Sequence, residues 1–446
     1  MSSSLLQSRS HASRVEETRR ILEAEGSDKG NDGAKEEKEA HKKQPTQEEA
    51  HNSPPPPGNK KDDTGQKKPT KPLHPINLEI VQKPKMVDIA YMDVSGGHQE
   101  HPHMGALDAK GNSGYIHDEQ ALCKNPPPLN YSEPLQEACS LQDNNWKIMD
   151  ERVVVEKDYN TKRSASGKPR DKIFCLVYTT EAAHDRIRNI RETWGPKCDG
   201  FMVGSTKTDP SIGTVNIPHE GTEAYNNIWQ KVRSMWSYVY DNYYKTYDWF
   251  HIGGDDLFLI VENLRYYLES EEIQTASNGG VYLPPEGKPV SKQTPLLLGR
   301  RFAHQGDMNN IFDSGGSGYT MNKAALKLLV TEGFPNYFLH RKTFSEDTMV
   351  ARTFKKIDTI LPYDTKDDAG GERYMPFLPG HHYSYRLPKD PSKDWYAKYS
   401  IDIKEGLEHC SPQSVAFHYV KGDMMKRLFA LTYGLCPKKK GATAKE

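Results

Sequence analysis

Tyr247-Asp248-Trp249-Phe250-His251-Ile252-Gly253-Gly254-Asp255-Asp256-Leu257-Phe258 runs from an apolar stretch through two glycines into two adjacent carboxylates, then into a second apolar run. Glu262-Asn263-Leu264-Arg265-Tyr266-Tyr267-Leu268 follows with a helical pattern. This order predicts a buried strand, a tight turn presenting two acids, and a helix. Acids at the carboxyl end of a strand sit where open α/β sheets bind ligands. Carboxylate oxygens suit hard divalent cations, and a cation held this way clamps a diphosphate. A solvated Gly-Gly-Asp-Asp turn explains the same residues. The stretch alone leaves both readings open, a metal–nucleotide site and a plain turn.

Upstream, Ile173-Phe174-Cys175-Leu176-Val177-Tyr178 is a continuous apolar run that suits a strand buried on both faces. Thr179-Thr180 make a loop. Asp185 is placed to cap a helix carrying Ile187, Ile190 and Trp194, which Gly195-Pro196 ends. Short strands are expected at Gly200 to Gly204 and at Thr214 to Ile217. Strand, helix, strand is the opening of a nucleotide-binding α/β layer. A long helix from about Glu223 to Tyr244 carries Ile228, Val232, Met235, Trp236, Val239, Tyr240 and Tyr243 on one face. Such a stripe reads as core.

Downstream, Ser270 to Pro295 is a polar insert, and Leu296 to Phe302 reads as a strand that includes two cations, Arg300 and Arg301. Asp313-Ser314-Gly315-Gly316-Ser317-Gly318-Tyr319 is a glycine-rich loop, and no Gly-Lys-Ser/Thr follows it to make a phosphate-binding loop of the Walker type. Asn322 is placed to cap a helix over 323–330. Ser345 is placed to cap another, with Glu346 and Asp347 in its first turn, where the helix dipole favours acids. Ser414 to Val420 reads as a strand whose alternation sets His418 opposite Phe417 and Tyr419. A single histidine on a strand is ordinarily satisfied by its neighbours. Val87 to Met92, and Trp146 to Val155, are further strand candidates, the latter alternatively a docking segment.

The 446 residues suffice for about two or three domains on length alone. Net charge is −1, so no overall field favours nucleic acid or an anionic membrane. Hydrophobic content is 35%, low for a compact domain, and the deficit falls in the first seventy residues. Residues 1–72 are Lys/Glu/Gln/Ser-rich with a Pro54 to Pro57 run, which reads as a disordered polar stalk or tail. Residues 73–170 form a poorly defined extension, in which His98, His101 and His103 lack a fixed ligand spacing and read as a surface loop. Residues 437–446 are a basic tail. Six cysteines include no C-x-x-C pair, which argues against a zinc ribbon or redox motif. The Asn130-Tyr131-Ser132 sequon matters only in a secretory lumen. The longest strongly apolar run, Ile173 to Tyr178, is far short of the roughly twenty residues of a membrane helix.

Seven stretches in order resemble the inverting β-1,3-glycosyltransferases, the fringe-like family, and within it the core 1 O-glycan galactosyltransferases. They are Arg191-Glu192-Thr193-Trp194, Asp248-Trp249-Phe250, Val261 to Tyr266, Gly299 to Phe302, Ser314 to Tyr319, Ser345-Glu346-Asp347 and Phe417-His418-Tyr419-Val420. The resemblance runs from about Lys172 to Val420. It implies a single α/β domain of GT-A type, Rossmann-like, over 171–436, using a nucleotide sugar and a divalent metal, Mn²⁺ or Mg²⁺. It implies Asp256 and His418 as metal ligands, Asp255 near the donor sugar or ribose, and Asp347 as the general base. Tyr178, Thr179, Thr180 and Arg186 would border the uridine. Arg300 or Arg301 would pair with phosphate or brace the acid turn, and the loop with Gly315 and Gly316 would lie against donor or acceptor sugar.

The implied reaction moves galactose from UDP-galactose to the 3-hydroxyl of an O-linked N-acetylgalactosamine, with inversion. A fringe-like UDP-N-acetylglucosamine transferase and a non-catalytic chaperone relative are the alternatives. The expected partners are a nucleotide sugar and a glycoprotein or glycopeptide acceptor, with a homodimer allowed and no nucleic acid. The family's setting is the Golgi lumen, on a type II membrane anchor for which this chain shows no counterpart, although residues 1–72 resemble the stalk. Cys175 and Cys198 match a family cysteine pair, and Cys410 a cysteine with no evident partner here. One departure stands out. Gly254 replaces the first acid of the family's triplet, so metal binding is expected to weaken.

Overall fold

The computed structural model describes residues 85–94, 132–167, 170–209, 211–283 and 290–436. The expected stalk, the histidines at 98, 101 and 103, most of the sequon and the basic tail lie outside them.

β1 (Val87–Asp88) is shorter than expected. Three helices follow: α1 (Glu133–Ser140), α2 (Asn144–Glu151) and α3 (Lys157–Ala165). The strand expected from Trp146 is thus largely helix, because the Asp143 side chain accepts from the Trp146 amide at 2.9 Å and caps α2. β2 (Ile173–Tyr178) opens the main sheet. α4 (His184–Glu192) begins one residue before Asp185, so that acid sits inside the first turn, paired with Arg188, and does not cap it. β3 (Gly200–Ser205) and β4 (Thr214–Asn216) lie where expected.

α5 (Ile228–Tyr243) starts later than expected, after a 3₁₀ turn over Tyr225–Asn227. It is buried on every side from Ile228 to Tyr240, not on one stripe. Its buried cations are held: Lys231 Nζ donates to the Thr179 carbonyl at 2.6 Å and to Glu223 at 2.9 Å.

β5 (Trp249–Gly254), β6 (Phe258–Leu259) and α6 (Val261–Leu268) follow the predicted order. The polar insert opens with α7 (Glu271–Ser277), capped by Ser270, and contains β7 (Lys292–Gln293), which pairs with β1. The strand expected from Leu296 to Phe302 is two, β8 (Leu297–Gly299) and β9 (Arg301–Ala303), which join different sheets. β9 pairs with β10 (Ile311–Asp313). β11 (Tyr319–Asn322) leads into α8 (Lys323–Leu328), where the Asn322 side chain accepts from the Ala325 amide at 3.0 Å as the expected cap.

α9 (Glu346–Asp358) carries the second acid pair. β12 (Tyr374–Met375) comes next, and β13 (Ala416–Phe417) is the remnant of the strand expected over 414–420. The chain leaves extended geometry at Tyr419, whose φ is +61°. The closing helix is α10 (Asp423–Thr432).

The main sheet runs β4-β3-β2-β5-β11-β8. β4, β3, β2 and β5 are parallel, and β11 is antiparallel to β5 and β8. The continuous apolar run of β2 has a direct explanation. Ile173, Cys175 and Val177 join one core with Ile187, Ile190 and Trp194, while Phe174 and Leu176 join another with Trp229, Met235 and Trp236. Helices therefore cover both faces, as parallel sheets require. Cys175 is bonded to Cys198, the pairing implied by the family resemblance. A second disulfide, Cys139–Cys436, ties α1 to the segment after α10, and Cys410 is buried as a free thiol.

Candidate active site

In the main sheet β3 lies on one side of β2 and β5 on the other. The chain changes winding direction between β2 and β5, and ligands of open α/β sheets bind outside the carboxyl ends at such a point. Tyr178 and Gly254 end these strands side by side in register. Asp255 and Asp256 follow at once.

The two glycines let the turn close. A Cβ on Gly253 would stand 2.4 Å from Leu257 Cδ2, and one on Gly254 would stand 3.1 Å from Asp256 Oδ1 and 3.3 Å from Tyr178 Cε2. An acid at 254 would therefore crowd Asp256. Trp194 Nε1 donates to the Leu257 carbonyl at 2.9 Å and braces the turn from behind.

Asp255 accepts from Arg186 Nη1 at 2.6 Å and from Thr179 Oγ1 at 2.7 Å. Burial and the neighbouring Asp256 raise its pKa, against the pull of Arg186. Asp256 is handled differently. Burial acts to raise its pKa too, but His418 and Lys421 outweigh that and hold it well below the usual carboxylate range. His418 Nε2 lies 3.3 Å from Oδ1, Lys421 Nζ lies 3.2 Å from Oδ2, and the Val420 amide donates to the Asp256 carbonyl at 2.8 Å.

A small sheet creates this convergence. β13 lies between β12 and β6, with Phe417 opposite Phe258. That pairing brings residue 418 beside the acid turn, and the left-handed backbone at Tyr419 swings residue 421 back to the same carboxylate.

The second acid pair is joined to this region through the glycine loop. The Gly315 amide donates to Asp347 Oδ2 at 2.8 Å, while Ser345 Oγ and the Thr348 amide donate to Asp347 Oδ1 at 2.9 and 2.8 Å. Ser345 occupies the cap position but makes no side-chain cap; its hydroxyl orients Asp347 instead. A Cβ on Gly316 would stand 2.4 Å from His418 Nδ1. Glu346 is buried and accepts from the Tyr319 hydroxyl at 2.9 Å; burial, with Asp347 beside it, pushes its pKa well up. Tyr178 ties the two pairs together. Burial raises its pKa most, and Glu346, Asp256 and Asp347 all add to that shift.

Asp256, His418, Asp255, Thr179, Arg186, Tyr178, Gly315, Gly316 and Asp347 are thus brought together by a chain of contacts. Arg301 instead pairs with Asp364, and the fully buried Arg300 pairs with Glu372 and donates to Ser400 Oγ at 3.0 Å. Neither arginine's ion pair is with the acid turn. Sequence reasoning missed Lys421, and it missed Asp313. Asp313 is buried with neither carboxyl oxygen hydrogen-bonded, and burial pushes its pKa well up. Nothing in the local sequence marks either residue; only the fold places them.

The donors suit a divalent cation. His418 Nδ1 lies 3.2 Å from the Pro376 carbonyl, so a ring with its proton on Nδ1 would donate there and turn a lone pair on Nε2 toward Asp256, as metal ligation needs. Two acceptors facing at 3.3 Å require something positive between them, a proton or a metal. Adjacent octahedral ligands at Mg²⁺-like bond lengths stand about 3 Å apart. Among the described residues no group of three or more His, Cys, Asp or Glu converges to hold a metal ion.

No known family model matches the chain. The glycoprotein-N-acetylgalactosamine 3-beta-galactosyltransferase 1 of Xenopus laevis is 25% identical over 307 residues, which cover 66% of this chain and 75% of that protein. This chain is a relative of the β-1,3-galactosyltransferases. For a β-1,3-galactosyltransferase relative the mixed α/β architecture is compatible, and the site at the end of β2 and β5 is the natural place to look for chemistry.

Proposed function

We propose that this protein is an inverting β-1,3-galactosyltransferase of GT-A type. It moves galactose from UDP-galactose to the 3-hydroxyl of O-linked N-acetylgalactosamine on glycoproteins. The observation that carries this reading is the meeting of Asp256 and His418 at 3.3 Å, in a cleft that also holds the oriented carboxylate of Asp347. The Xenopus laevis relative, a glycoprotein-N-acetylgalactosamine 3-beta-galactosyltransferase, supports this choice of sugar and acceptor. The fitting compartment is the Golgi lumen, where such acceptors pass. Among the described residues no helix is long and apolar enough to cross a membrane.

Inversion by single displacement needs a base on the acceptor hydroxyl and a stabilised leaving group on the far side. Asp347 is half-buried, and three donors fix its two oxygens, so it is aimed before substrate arrives. It takes the proton of the attacking hydroxyl. Tyr178, Thr179 and Arg186 border the nucleotide, with Arg186 anchored on Asp255. Asp256 and His418 would hold the divalent cation, which when bound neutralises charge on the departing diphosphate.

The test is UDP release by the purified full chain with Mn²⁺, offered UDP-galactose or UDP-N-acetylglucosamine and a GalNAc-Ser/Thr glycopeptide. Turnover with UDP-galactose and a β-1,3-linked product is expected. Turnover with UDP-N-acetylglucosamine alone would make the enzyme fringe-like. No turnover with either donor, together with no UDP-dependent thermal shift, would overturn the enzymatic reading.

A further inference from the structure

We propose that Lys421 is a second, protein-borne cation for the leaving diphosphate, so that nucleotide binding persists when divalent metal is removed. This rests on the reading of the cleft as a UDP-sugar site.

The argument starts from charge. Asp255 is paired with Arg186 and Asp256 with Lys421, so two carboxylates face two fixed cations. The four formal charges sum to zero before any metal binds. Gly254 adds no third acid, and the space its Cβ would need is bounded by Asp256 and Tyr178. A cradle that depended on metal alone would present its acids without such partners.

Position makes the same point. Lys421 uses Oδ2 of Asp256, whereas His418 faces Oδ1, so the ammonium does not fill the gap between Oδ1 and the imidazole. Lysine and metal can therefore act together. The Lys421 side chain is 29% exposed and that of Asp256 13%, which sets the lysine on the open side of the acid. The fold pays attention to this placement at two residues: Tyr419, with its positive φ, turns the chain back, and Gly422, at φ +54°, carries it into α10. Lysine is a compact charge on a flexible stem, so its ammonium can pass from Asp256 to a phosphate oxygen without backbone movement.

The experiment measures UDP binding to the full chain by calorimetry, in EDTA and in saturating Mn²⁺, for wild type, Lys421→Met, Lys421→Gln and Lys421→Arg. Mn²⁺ binding without nucleotide is followed separately by electron paramagnetic resonance. Wild type should still bind UDP in EDTA. A charge-assisted hydrogen bond corresponds to about tenfold in affinity or more, so Lys421→Met and Lys421→Gln should lose that much in EDTA. They should lose less than about threefold in Mn²⁺, and Lys421→Arg should retain most of the metal-free binding. Mn²⁺ alone should bind the Met variant more tightly, because the competing ammonium on Asp256 is gone. Unchanged UDP affinity of the Met and Gln variants in EDTA would overturn the role of Lys421. So would a wild type that binds UDP in Mn²⁺ but not in EDTA, and either result leaves the cleft assignment intact. A wild type that binds UDP in neither condition would overturn the cleft assignment, and this inference with it.

Discussion

Asp255 and Asp256 are matched by Arg186 and Lys421, whereas Glu346 is matched by a phenol and Asp347 by hydroxyl and amide donors. Both are pairs of adjacent acids at the edge of one cleft, and the surroundings sort them. Where cations stand opposite, Asp256 stays ionised despite burial. Where only neutral donors are on hand and burial is complete, Glu346 is pushed toward its protonated form. On the proposed reading, this difference suits the first pair to charge arriving on a ligand and the second to placing one carboxylate for proton transfer.

The sharpest way to break this comparison is to remove the two functions separately. Asp347→Asn should lower turnover by about 10³-fold, the range for loss of a general base, while UDP affinity in Mn²⁺ changes by less than about twofold. Asp256→Ala should instead abolish the metal-dependent part of UDP binding. If Asp347→Asn weakens UDP binding as much as Asp256→Ala does, the two pairs share one task and the contrast is lost. Next in size is Gly316→Ala. The added methyl would stand 2.4 Å from His418 Nδ1, so the imidazole must shift off the Pro376 carbonyl. Loss of an orienting contact to a ligating histidine typically costs about 10- to 100-fold in metal affinity. Mn²⁺ titration of activity should show that loss, and an unchanged titration would count against His418 as a ligand.

The parallel core was legible in the sequence because its strands must be apolar on both faces. Ile173 to Tyr178 and Trp249 to Gly254 came out at the expected places for that reason. The acid turn was legible through its glycines. Short strands that belong to small sheets were not. Leu296 to Phe302 reads as one apolar run, yet the chain changes sheets at Arg300, whose charge is paired with Glu372, distant in sequence. The run through His418 reads as a strand because alternation cannot reveal a left-handed residue at Tyr419. That one backbone angle is also why Lys421 was invisible as a site residue. The resemblance to known transferases carried the assignment of His418 and Asp347, since local chemistry leaves a single histidine and a first-turn acid ambiguous.

A smaller effect sharpens the contrast through stability. Because Glu346 is buried, accepts from the Tyr319 hydroxyl and has its pKa pushed well up by burial and by Asp347, Glu346→Gln preserves size and polarity. Urea unfolding should place Glu346→Gln within about 1 kcal/mol of wild type near neutral pH, and Glu346→Ala about 1–3 kcal/mol below it, since the alanine leaves a buried hydroxyl without its partner. Equal losses in the two variants would mean that the acid is needed as an anion.

The smallest expected effect is a slope with pH, and its sign differs between the two regions. Glu346 has a folded pKa above its unfolded value, so between those values the folded state holds a proton that the unfolded chain has released. Stability from this group is therefore greatest at low pH and declines as pH rises from the unfolded pKa toward the folded one. Asp256 has a folded pKa below its unfolded value, so its contribution is present above the unfolded pKa and is lost as pH falls toward the folded one. Glu346→Gln should flatten the fall in stability on the alkaline side of about pH 4.3, the ordinary glutamate value. Asp256→Asn should flatten the loss on the acid side of about pH 3.9, the ordinary aspartate value. Unfolding free energies of the two variants and wild type, measured across that range, would collapse the distinction between the regions if both substitutions changed the slope on the same side.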